Sequence, residues 1–186
     1  MDPLNQAIQI SATQLHSPLD VAVYTLNCLS AVNAVIILYQ FTDARLEMIK
    51  AQMDANIDVL VSEQATSILT QTGLIELYRK SAAHQASQGS LSEIAGMEPS
   101  RISSAMILFD SFLSNPDSYK LDQCVKLSDL VRERTAENVV AAYGIIYNKV
   151  ADPENKYPQL SMKTVEQVGF FFFRNSVFFS FFFFFL

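Results

Sequence analysis

The sequence predicts an all-α protein, an elongated bundle of long antiparallel helices, with a Phe-rich tail that reads unlike the rest. Three observations carry this. Apolar residues recur at steps of three and four over the long segments, the period of one helix face. No alternation of period two occurs before residue 169. Only five Gly and six Pro punctuate 186 residues, so breaks are few.

Pro3 fits the first turn of a short helix reaching about Gln14, with Asp2 as its cap. "HSPLD" ends it, because Pro18 forces the preceding residue out of helical geometry. Residues 21–42 then run for 22 residues without a charge. About 20 mostly apolar residues suffice to cross a bilayer, so a membrane span must be weighed. Asn27, Asn33 and Gln40 oppose it, since polar groups are costly in hydrocarbon. So does the flank chemistry: Asp20 and Asp43 bound the segment, and no Lys/Arg cluster does. The favoured reading is a core helix, apolar on all sides. The rival is a small helical membrane protein with apolar helices at 21–42 and 170–186.

Residues 43–80 read as one long helix started by Thr42 or Asp43. Leu46, Ile49, Met53, Ile57 and Leu60 form its stripe, and Gly73 is its weak point. With Leu26, Leu29, Val32 and Ile36 they make the expected core. "SAAHQASQGSLSEIAGMEPS" reads as a flexible, surface-exposed connection. Ser100 is expected to cap a helix over "RISSAMILFDSFLS", and "NPDS" to turn. A second long helix is expected over 120–150, from Leu121 and Val125 to Tyr143, Ile146 and Val150. "ADPENKYP" stops it, and Ser161 is expected to cap a last helix over "SMKTVEQV".

Chemistry is sparse. The formal charge of −6 argues against a general nucleic-acid binder, which needs a basic face. His16 and His84 share no ligand spacing with Asp, Glu or Cys and read as surface histidines. Cys28 reads as a core residue, and Cys124 has no partner base. Two cysteines 96 residues apart make no disulfide framework, which suits a reducing cytosol. "DLVRERTAE" reads as a solvated helix face with Asp129–Arg132 and Arg134–Glu137 at i, i+3. No phosphate-cradling glycine loop and no nucleophile elbow occur. The residues therefore name no catalytic, cofactor-binding or metal-binding site.

Longer words are more specific. "FTDARLEMIKAQMDANIDVLVSEQA", "QTGLIELY", "QGSLSEIAGMEPS", "AMILFDSFLSNPDS" and "ENVVAAYGIIYNKVADPENKYP" occur in that order. Together they resemble the C-terminal region of subunit 6 of the conserved oligomeric Golgi complex, over about residues 2–168. The resemblance implies a helical-rod subunit of a cytosolic vesicle tether, peripheral on the Golgi membrane and acting in retrograde traffic within the Golgi. It implies no enzymatic activity and no cofactor. The implied partners are the other subunits of that complex and the SNARE machinery. Family members are several times longer, so a part-length chain is expected to leave some of the apolar stripe uncovered.

The resemblance stops where "GFFFFRNSVFFSFFFFFL" begins, and 11 of the 14 Phe fall in the last 17 residues. Arg174, Asn175 and Ser176 interrupt this run, leaving ten residues, about half a bilayer span. Phe, Ser, Leu and Val all have thymine-rich codons, and Gln167–Val168 can be read from a splice-donor triplet pair. The expected organisation is a helical domain over 1–168 and, at 169–186, intron read-through or a mispredicted end.

Overall fold

The computed structural model describes residues 3–115 and 127–173. Among them are seven α-helices and no strand, as the periodicity predicts. The helices are α1 (Pro3–Ala12), α2 (Pro18–Ile36), α3 (Asp43–Gln71), α4 (Leu74–Ala83), α5 (Pro99–Leu113), α6 (Ser128–Ala151) and α7 (Val165–Phe173). The expected cap Asp2, the "NPDS" turn from residue 116 on, Leu121, Cys124, Val125 and the tail from Arg174 lie outside the described residues. The chain divides into two units. The first holds the described residues of 1–64 and 121–131, and the second those of 65–120 and 132–186.

In the first unit, α1 packs on α2, and Asn5 on α1 donates to Gln52 Oε1 on α3 at 3.1 Å. Ala22, Val23 and Leu26 of α2 meet Ile57, Leu60 and Val61 of α3 and Val131 of α6 in one apolar cluster. These positions recur at helical spacing, so one face of each helix is buried. Five of the nine expected core residues are fully buried: Leu26, Leu29, Ile49, Ile57 and Leu60. Val32, Ile36, Leu46 and Met53 are half-buried.

Two expectations for 21–42 change. The helix ends at Ile36, and a turn follows in which the N–H groups of Ile37, Leu38 and Tyr39 bond back to Asn33, Val35 and Ile36. The Thr42 hydroxyl donates to the carbonyls of Tyr39 (2.9 Å) and Ile36 (3.3 Å), closing the turn against the end of α2. Nor is α2 buried on all sides. Asp20, Asn27, Ala31, Ala34 and Val35 on it are exposed, Val35 at 55%. By length and composition α2 is the one described helix able to cross a membrane, with a mean hydropathy of 1.5; core helices share that property.

The expected helix over 43–80 is two helices, α3 and α4, broken at Gly73 with φ 73°. A Cβ at Gly73 would lie 3.9 Å from Ala105 Cβ, so glycine is required for its dihedrals and not for space. The second unit centres on α5. Phe109 stacks on Tyr143 of α6 at 5.4 Å between ring centroids, and Phe172 of α7 lies 6.4 Å from Phe109 and 6.5 Å from Phe112. Leu74 and Leu77 of α4, Ile102 of α5 and Ile146 of α6 complete the same core.

The stretch 84–98 overturns the expectation of a flexible, exposed connection. Leu91 and Met97 are wholly buried, and two 3-10 turns shape it, Ala86–Gln88 and Leu91–Glu93. It is clasped by the segment after α6. The Ser90 hydroxyl donates to the Asn155 carbonyl at 2.7 Å, the Leu91 N–H to Asn155 Oδ1 at 3.1 Å, and the Tyr157 hydroxyl to the Met97 carbonyl at 2.8 Å. Buried backbone groups need such partners, and here they come from 60 or more residues away.

The last helix begins at Thr164 and not at Ser161. Thr164 and Gln167 form a reciprocal capping box: the Gln167 N–H donates to Thr164 Oγ1 and the Thr164 N–H to Gln167 Oε1. The helix runs across residue 168, with Val168 and Phe172 both in the core.

Candidate interaction site

Among the described residues no group of three or more His, Cys, Asp and Glu is placed to hold a metal ion. His16 is exposed. His84 is the correction: it is buried, 8% exposed, at the end of α4. Its Nε2 donates to the Gly89 carbonyl at 2.9 Å, while Nδ1 is buried without a partner. The ring thus ties the end of α4 to the clasped loop, and the Lys149 ammonium of α6 donates to the His84 backbone carbonyl at 3.3 Å. Nothing in that spacing was a ligand signal, and the ring serves packing. Cys28 is half-buried on α2. Along "DLVRERTAE", Asp129, Glu133 and Glu137 are exposed and Arg132 and Arg134 half-buried, on α6.

The titratable groups with displaced pKa values are also structural. Burial, reinforced by the nearby Glu98 carboxylate, pushes the Tyr157 phenol up to about 12. Burial, with the Asp110 carboxylate and Tyr147, raises that of Tyr143, whose hydroxyl donates to the Lys163 carbonyl at 2.6 Å. Hydrogen bonds from the Gly96 N–H and its own N–H hold the Glu98 carboxyl below its usual range. Each shift traces to burial, a neighbouring carboxylate or a backbone hydrogen bond that the fold supplies.

What the surface does offer is apolar. In the first unit a groove between α1, α2 and α3 is lined by Leu4, Ile8, Leu29, Val32, Ile36 and Met48, with Arg45 its one charged residue among those described. Beside it the turn after α2 presents Ile37, Leu38, Tyr39 and Phe41 to solvent; Phe41 is 98% exposed. Phe41 has φ 62°, a left-handed conformation unusual for a bulky residue. Contiguous exposed apolar surface of this kind marks sites of association. In the second unit, Ile107 and Leu108 are exposed on the outer face of α5. The charge-free run 21–42 hinted at the first patch. Which side would stay open could not be read from it.

Comparison with known proteins gives these surfaces a setting. The family model described as conserved oligomeric Golgi complex subunit 6, C-terminal, matches residues 1–169. The chain is 34% identical over 176 residues to the subunit 6 of Caenorhabditis elegans, covering 90% of this chain and 27% of that protein. It is 36% identical over 162 residues to that of Homo sapiens, covering 84% and 24%. To that of Drosophila melanogaster it is 35% identical over 176 residues, covering 90% and 26%. The chain thus spans about a quarter of the length of these relatives. No solved structure matches it significantly. A match over nearly the whole chain, in an all-α fold, places this protein in the conserved oligomeric Golgi complex subunit 6 family, in its C-terminal region.

Proposed function

We propose that this chain is a non-enzymatic part of a vesicle-tethering subunit. It acts through protein contacts in retrograde transport within the Golgi and in Golgi organisation. Its partners in this reading are the other subunits of the conserved oligomeric Golgi complex and the SNARE machinery. It sits at the cytosolic face of the Golgi membrane as a peripheral component. The observation that carries the reading is the family match over residues 1–169. The surface chemistry supports it: apolar faces on helices suit helix-on-helix association.

Rescue tests it. Cells that lack their own family member receive the long family chain, either intact or with the region matching 1–169 deleted. A recycling Golgi-resident membrane protein is then followed by microscopy. The intact chain is expected to keep that protein in the Golgi and the deleted one to let it disperse. Equal retention by both would remove this region from the transport role.

A further inference from the structure

The relatives carry about three quarters of their length outside the region this chain matches. The matching family model is the one for the subunit's C-terminal part, so a part of the family chain precedes it. A polypeptide entering from that side arrives at α1, whose Leu4, Asn5 and Ile8 form one wall of the apolar groove. We propose that the groove and the adjoining turn of the first unit are the docking site for the preceding part of the full-length family chain. The occupant is an amphipathic helix from that part.

The chemistry of the surface defines the occupant. Leu4, Val35 and Met48 are 51%, 55% and 43% exposed, and Val32 and Ile36 are half-buried, so an apolar stripe has room to seat. Arg45, exposed at the lining, calls for a carboxylate at the helix rim. The turn continues the surface past Ile36. The Thr42 hydroxyl pins its backbone, and Phe41 is held in a left-handed conformation with its ring in water. That conformation is disfavoured for a bulky L-residue. An exposed ring gains nothing in return within this unit; a ring seated on a docked helix does. The docking stands on the family's greater length and is independent of any role in traffic. A chain that fails in the rescue assay can still bind here, and the reverse.

The test uses the 186-residue chain and, as a separate polypeptide, the part of the human relative that precedes the matched region. Titration calorimetry is expected to give a one-to-one complex. Val32→Asp and Met48→Asp should each weaken it at least tenfold, and Ile107→Asp, on the second unit, should leave it unchanged. Phe41→Gly guards against a folding artefact: the side chain is fully exposed and glycine favours the backbone there, so thermal stability should hold or rise while affinity falls. Absence of a complex, or affinity indifferent to Val32 and Phe41, overturns the proposal. So does a self-associated chain whose dimer is lost in Val32→Asp, which would make a second copy the occupant. Flotation with neutral phosphatidylcholine vesicles that Phe41→Gly abolishes would assign the turn to a lipid surface instead.

Discussion

Asn155 does more for the second unit than its place in a proline-bounded turn suggests. Its side chain accepts from the Leu91 N–H and donates to the Lys149 carbonyl at 2.8 Å, and its own carbonyl accepts from Ser90. Asn155→Ala strips both side-chain bonds at a site only 3% exposed. Each buried group left unpaired costs roughly 1–3 kcal/mol. Urea unfolding should show a loss of that order, and limited proteolysis should begin within 84–98. A loss below about 0.5 kcal/mol would mean the clasp is not needed, since that is the range of ordinary surface substitutions. Tyr157, on the same clasp, sets a pH dependence. Its phenol is raised to about 12 from an ordinary 10, so the fold favours the neutral form. The stability this gives is complete below pH 10 and lost as pH rises toward 12. Unfolding followed from pH 9 to 12 should weaken less steeply in Tyr157→Phe than in the parent. Identical slopes would place the late-titrating phenol elsewhere.

At the scale of elements, helices with a sustained stripe were legible because the code is local. Leu46 to Leu60 specify one face of α3 whatever surrounds it. Gly73 was legible as a weak point, and it became a break because αL geometry is available there. Gly73→Ala should lower stability by about 1–2 kcal/mol if the break persists, the cost of a left-handed L-residue. Unchanged stability with a rise in helical circular dichroism would mean that α3 and α4 fuse into the single helix that the periodicity predicts. The clasped loop was not legible. A Ser-, Ala- and Gly-rich composition reads as mobile, whereas its order comes from Asn155 and Tyr157, far along the chain. The start of α7 was missed by three residues. Ser161 and Thr164 are equally good caps by type, but only Thr164 has a glutamine three residues on.

For the molecule as a whole, the all-α class followed from periodicity, and the family from segments too long to match by accident. The interaction surface did not follow from either. A charge-free segment predicts burial, and burial depends on how many elements are present to cover it. Here α2 turns one face to Ile57 and Leu60 and leaves Val35 and its neighbours open. The chain spans about a quarter of its relatives' length, and the proposed association would use this uncovered apolar surface.

Affinity capture tests that most directly. The long family chain containing this region, tagged and isolated from cells, should bring down the other subunits of the Golgi complex in comparable amounts. The same chain carrying Val32→Asp should bring down less if this region contributes to assembly. Recovery of no other subunit with the intact chain would contradict the account.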